Sequence, residues 1–152
     1  MRAVIQRVTG AELTVNGAYR GRIHQGFVVL VGVCHDDTDA DAIWLAHKIA
    51  SLRVFGDDAG VMNRDLNALG PGAGLMVVSQ FTLYASYKKG NRPSWIHAAA
   101  HDVAVPLYEL FCRRLQAEAG CEMVTGDFGA DMQIALVNDG PVTICMDTKN
   151  KE

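Results

Sequence analysis

The stretch that decides the fold is DMQIALVNDGPVTICMD, Asp131 to Asp147. DMQIALV and TICMD are apolar and read as paired strands, and Asn138-Asp139-Gly140 between them is ordinary turn chemistry. Pro141 is the oddity. Directly after the turn glycine, it removes a backbone donor where the returning strand starts and opens the way to a cis Gly140-Pro141 bond.

Working outward, the first third predicts a meander: RAVIQRV, AELTV, a turn at Asn16-Gly17, a short AYRGRI and the continuous apolar run FVVLVGVC. Asn-Gly between alternating segments is a strong hairpin signal. HDDTDADAIWLAHKIASLRVF then changes period. Asp36, Asp37 and Thr38 offer N-caps, and Ala42, Leu45, Ala46, Ile49 and Leu52 recur at helical spacing. A second helix is expected to start near Pro106 and run through LYELFCRRLQAEA to Gly120, with Leu107, Leu110, Phe111 and Leu115 turned inward. The sum is a single α+β domain in which sheet predominates. No repeat, linker or low-complexity tract interrupts it.

At 152 residues, 49% hydrophobic and 20% charged, the chain has the balance of a globular domain with a sizeable core. A net charge of −3 excludes wholesale coating of nucleic acid, so any RNA contact has to be focused on a local basic patch. No apolar run reaches the roughly 18 residues of a membrane span, and MRAVIQRVTG alternates like a strand, which points to a cytoplasmic protein without membrane contact. Cys34, Cys112, Cys121 and Cys145 form no C-x-x-C pair, so reduced, packed thiols are expected and neither a metal nor another cofactor is called for.

Candidate chemistry is sparse. Cys34 and His35 are neighbours on a strand and face opposite ways, which works against a thiolate and imidazole pair. His97 and His101 in SWIHAAAHD would share a face if helical, but without a third ligand they read as solvated histidines. GPGAG, Gly70 to Gly74, precedes a strand instead of opening a helix, unlike a phosphate loop. VVSQFTLYASYKKGNRPS, Val77 to Ser94, differs in kind. An apolar strand gives way to Ser79, Gln80 and Thr82 around Phe81, and then to a loop carrying Lys88, Lys89 and Arg92. Polar groups and free N–H donors at a strand end, beside a cationic loop, suit a reacting carbonyl attached to a polyanion. No base lies near Thr82 in sequence, so its hydroxyl reads as a positioning group.

MRAVIQRV, SQFTLYA followed by KKGNRPS, FGADMQ and VNDGPVT, in that order, resemble the D-aminoacyl-tRNA deacylase family, also called D-tyrosyl-tRNA deacylase. The resemblance covers residues 1–147 as one domain and leaves 148–152 as a tail. It implies a homodimeric, barrel-like α+β protein with two main helices that hydrolyses the ester between a D-amino acid, or glycine, and the terminal adenosine of tRNA. It implies that a Gly-cisPro pair, Gly140 and Pro141, enters the partner's site, with Arg7 steadying the loop. By motif position the catalytic strand end falls on Phe81 and Thr82, and the substrate pocket on Ser79, Gln80, Phe128 and Met132, with Ala104 carried on a weaker motif. Lys88, Lys89 and Arg92 would follow the tRNA backbone. Tyr87 departs from the small polar residue expected in that loop.

The resemblance gives the proline a use. Main-chain carbonyls of a Gly-Pro pair are acceptors with no side chain to move, and they can hold a substrate ammonium. With ammonium, ester and Cα fixed, an L side chain runs into that wall and a D side chain does not. Handedness is then judged by steric exclusion, which glycine escapes. Two rivals remain at this level: a non-catalytic module that binds the tRNA 3′ end, and a thiol hydrolase built on Cys34 or Cys121.

Overall fold

The computed structural model describes residues 1–152. β1 (Arg2–Val15) is the spine. The Asn-Gly signal holds: Asn16 and Gly17 take φ of 50° and 79° and join β1 to β2 (Ala18–Ile23) with Val15 opposite Ala18. The expected meander is corrected. β3 (Gly26–Gly32) does not pair with β2 but continues along the same side of β1, with Ala11 opposite Ile23 and Val8 opposite Gly26. One long, interrupted hairpin therefore replaces three adjacent strands, because a single 14-residue template can pair with both pieces.

The deciding stretch is also corrected. Residues Met132–Asp147 form one strand, β8, and its halves pair with β1 instead of each other. Gln6 lies opposite Thr143 and Val8 opposite Asn138, so residues 139–142 swing out of the ladder against Arg7 alone. NDGP is thus an excursion within a strand, a large bulge and no hairpin turn. Its proline falls where no ladder donor is needed. The Gly140-Pro141 bond is cis.

β6 (Gly74–Ser79) runs parallel to β3, and β7 (Glu122–Thr125) parallel to β6, giving the order β2-β1-β3-β6-β7 with β8 on the other side of β1. Arg20 on β2 reaches Thr125 O at 3.2 Å and Asp127 at 3.0 Å, so the sheet curls into a nearly closed barrel. β3 and β6 start so close that a Cβ on Gly26 would lie 1.8 Å from Gly74 O. A two-stranded flap, β4 (Phe55–Gly56) and β5 (Met62–Arg64), stands apart.

α1 (Asp39–Ala50) and α2 (His101–Ala119) cover one face. Thr38 is the N-cap of α1, and the Asp41 carboxylate returns to the Thr38 N–H at 2.9 Å. The buried stripe is Ala42, Leu45, Ala46 and Ile49, as its spacing predicts, while Leu52 lies past the end of the helix. α2 begins five residues earlier than expected, at His101. Ala100 O accepts from both Val103 N and Ala104 N, which builds the first turn ahead of Pro106. Gly120 ends it at φ 61°. Phe27, Leu45, Phe55, Phe111 and Leu115 fill the core between helices and sheet, and a smaller cluster around Leu13, Val28 and Met76 fills the barrel. Thr148 is buried and takes the Met1 ammonium on its hydroxyl at 2.5 Å, beside Asp37, so the chain beyond 147 is at least partly docked.

The Asn16 turn also reaches a distant loop, because Asn16 N donates to Asp131 O at 2.8 Å and Asn16 Oδ1 accepts from Asp131 N at 3.3 Å. Asn16→Ala forfeits that acceptor and a residue suited to positive φ. The expected cost is about 1 kcal/mol, read as a fall in melting temperature of about 2–4 °C.

Candidate active site

β6 leaves the sheet at Ser79. Gln80 keeps its N–H on Val31 O at 2.7 Å, and Phe81–Tyr84 then wind into one 3-10 turn. As first-turn residues, Phe81 and Thr82 have N–H groups with no intrahelical carbonyl to meet. Gln80 Nε2 donates to Thr82 Oγ1. The hydroxyl is held by an amide, with no imidazole or carboxylate as its partner.

Beside this strand end opens a cavity of about 540 Å³, a size suited to a nucleoside with a small substituent. Ser79, Gln80 and Phe81 from the strand end, Ala104 from α2, and Phe128 and Met132 from the segment before and at the start of β8 line it. Each is placed by a local device. Tyr108 donates its hydroxyl to Val77 O at 2.9 Å, tying α2 to β6, and burial pushes its phenol pKa up so that it stays a donor. Phe128 packs edge-on against Tyr108 (5.9 Å) and His101 (5.2 Å). Met132 sits where a Cβ on Gly126 would be 2.2 Å from its sulfur, so only glycine there leaves the thioether its seat. Phe81 is 54% exposed and meets Trp95 edge-on at 5.2 Å, which leaves the mouth aromatic.

Six of the expected pocket residues, Ser79, Gln80, Phe81, Ala104, Phe128 and Met132, thus share one cavity, and Thr82 adjoins it. Gly140, Pro141 and Arg7 do not line it within one chain. They form a second constellation. Arg7 Nη1 donates to Val54 O, and Arg7 Nε lies 2.9 Å from Asp139 as a close ionic contact without hydrogen-bond alignment. Gly140 has φ +113°, and a Cβ there would stand 3.0 Å from Val142 N and 3.1 Å from Arg7 Nη2. Lys88, Lys89 and Arg92 are exposed in a loop whose base is the Ser86–Ser94 bridge, with two backbone hydrogen bonds of 2.8 and 2.9 Å.

Trp95, His101, Asp131 and Ile134 also line the cavity and were not among the expected site residues. Trp95 follows directly on the cationic loop, a signal that was available. His101 opens α2 whereas His97 precedes it, so the two do not share a helical face.

The thiols do not make a nucleophile. His35 is engaged through Nε2 with Ile96 O at 2.8 Å, and no hydrogen bond joins a thiol to an imidazole. Burial pushes the Cys112 thiol up to about 11 and also raises Cys121. Iodoacetamide treatment of the native protein is therefore expected to leave ester hydrolysis within about twofold of the untreated rate, where an activated thiolate would lose it. No group of three His, Cys, Asp or Glu side chains is arranged to hold a metal ion.

The fold and site define a small, nearly closed α+β barrel protein with a nucleoside-sized cavity at one strand end. The family model described as D-Tyr-tRNA(Tyr) deacylase matches residues 4–147. Proteins named D-aminoacyl-tRNA deacylase from Phocaeicola vulgatus and Bacteroides thetaiotaomicron are 57% and 53% identical to this chain, with all of both chains covered. A solved structure described as a c-Myc DNA unwinding element binding protein superposes with TM-score 0.87 at 36% identity, covering 97% of this chain and 98% of that one. Another, described as a probable eukaryotic D-amino acid tRNA deacylase, gives TM-score 0.80 at 19% identity over 95% and 97%, and supports the fold. The chain belongs to the D-Tyr-tRNA(Tyr) deacylase family.

Proposed function

We propose that this protein hydrolyses the ester of D-aminoacyl-tRNA, and of glycyl-tRNA, in the cytoplasm, as a homodimer in which each copy supplies the Gly140-Pro141 wall to the other's cavity. The observation that carries the reading is the cavity at the Ser79–Thr82 strand end, built from the residues that the family motif marks. Water adds to the ester carbonyl, the bond to the ribose oxygen breaks, and that oxygen leaves with a proton. Phe81 and Thr82 N–H groups donate to the carbonyl oxygen as it gains charge, each worth about 3 kcal/mol. The ester is already activated, so orientation and these donors suffice without a covalent enzyme intermediate. Lys88, Lys89 and Arg92 hold the RNA phosphates.

Two features support the second copy. The Gly140-Pro141 excursion lies outside its own chain's cavity. The outer edge of β8, a 16-residue strand, has no partner, and Leu136 and Val137 are exposed on it at 37% and 63%. A long apolar edge is a template for association. Carbonyls of Gly140 and Pro141 accept the substrate ammonium, and the wall excludes an L Cβ.

The test of the chemistry is Thr82→Ala on D-Tyr-tRNA. With Thr82 as a positioning group, kcat falls by about tenfold or less and KM moves little. Complete loss with substrate binding retained makes the hydroxyl the nucleophile and overturns the mechanism. Undiminished binding without any turnover by the wild-type protein leaves only a binding module.

A further inference from the structure

The loop between Ser86 and Ser94 holds more than its three cations. Tyr87 is 76% exposed, the most exposed of the large hydrophobic side chains, and Trp95 and Ile96 follow at 40% and 69%. The Ser86–Ser94 bridge is antiparallel. Tyr87 and Trp95 are the residues that directly follow the two bridged serines, one on each side of the loop. Trp95 is already a wall of the cavity, edge-packed by Phe81 at 82°. Tyr87 does not line the cavity and stands at the other side of the bridge that Trp95 follows.

The surrounding charge says what this step would meet. The chain carries −3 overall, yet between Asp65 and Asp102 there is no acidic residue, and the only fixed charges are Lys88, Lys89 and Arg92. An exposed aromatic beside cations, in a stretch of chain without acidic residues, is the composition of a single-strand nucleic-acid platform, in which a base stacks on the ring while its phosphate meets the cations. An acidic peptide would meet the three cations but carries no regularly spaced bases to stack on the ring, which a single strand does.

We infer that Tyr87 is a stacking subsite for the unpaired nucleotide immediately 5′ of the terminal nucleoside. The inference rests on the proposed function for the position of that nucleoside in the cavity. It assigns a role to the residue by which this loop departs from the expected pattern. The terminal nucleoside occupies the cavity bounded by Phe81 and Trp95, the chain leaves over the Tyr87 ring, and Lys88 and Lys89 take the intervening phosphates. Recognition by stacking tolerates any base at that position, because every base offers a flat face.

Binding measurements decide it without relying on turnover. The probes are a tRNA whose 3′ end bears D-tyrosine through a non-hydrolysable amide, and 3′-(D-tyrosylamino)-adenosine alone. Tyr87→Ala is expected to weaken the RNA probe about tenfold and to leave the adenosine probe unchanged, and Tyr87→Phe to restore RNA binding. Lys88→Ala with Lys89→Ala should flatten the salt dependence of RNA binding, which Tyr87→Ala does not. Melting temperatures confirm that each variant is folded, and an exposed loop residue should not shift them. Unchanged RNA affinity in Tyr87→Ala, or equal loss on both probes, overturns the subsite. If D-Tyr-tRNA is not hydrolysed by the wild-type protein, the catalytic reading fails, and the two probes still decide the subsite.

Discussion

Gly140→Ala is expected to lower kcat/KM on D-Tyr-tRNA about a hundredfold, the scale of a misplacement of about 1 Å in a positioned group. The reason is local. Gly140 has φ +113°, where a side chain is strained, and the new Cβ meets Val142 N at 3.0 Å and the Val142 side chain at 2.9 Å. Relief must come from the excursion itself, since Asn138 and Thr143 are both fixed to β1. The guanidinium of Arg7, 3.1 Å from the added carbon, would shift too and loosen its contact with Asp139. The stability cost is expected near 2 kcal/mol, so the variant stays folded at 25 °C and its kinetics can be read. The preference for D over L substrate should narrow together with the rate. An unchanged rate would show that the excursion plays no part.

Ala104→Trp should produce a loss of similar size by another route. Ala104 is 4% exposed on α2 and lines the cavity together with Ser79, Gln80 and Phe81. An indole there occupies the space that a nucleoside needs, so kcat/KM is expected to fall about a hundredfold, mostly through KM. The cavity can receive the ring, so the packing penalty stays within the range for overpacked sites, about 1–3 kcal/mol.

Together the two variants test where the wall comes from. In a mixture refolded from equal amounts of each, a heterodimer pairs the intact cavity of the Gly140→Ala chain with the intact excursion of the Ala104→Trp chain. Half of the dimers then carry one complete site, and the mixture should recover about a quarter of wild-type activity. A wall acting within its own chain predicts no recovery.

The helices were legible in the sequence because a buried stripe at helical spacing is a local property: Ala42, Leu45, Ala46 and Ile49 needed no knowledge of their partners. The start of α2 was not, since Pro106 looks like a first-turn residue, whereas the turn before it is built by Ala100 O. The long apolar strands were legible, the short β4, β5 and β7 were not, and strand pairing was not. Asn138-Asp139-Gly140 carries every local mark of a hairpin turn, and only the length of β1, which can pair with both flanks, turns it into an excursion. The same holds for β2 and β3. For the site, the motif at Ser79 to Thr82 marked the strand end and the cationic loop pointed to Trp95 after it, but His101 and Ile134 reach the cavity through contacts that no spacing encodes. Tyr87 stood out in the sequence as a misfit, and its meaning depended on the exposure that the fold gave it.

The most direct test is to incubate the purified protein with D-Tyr-tRNA and L-Tyr-tRNA side by side and follow release of the amino acid. A main-chain wall that admits one hand predicts clearance of the D ester at a rate at least about a hundredfold above that of the L ester. Equal rates for the two would contradict it.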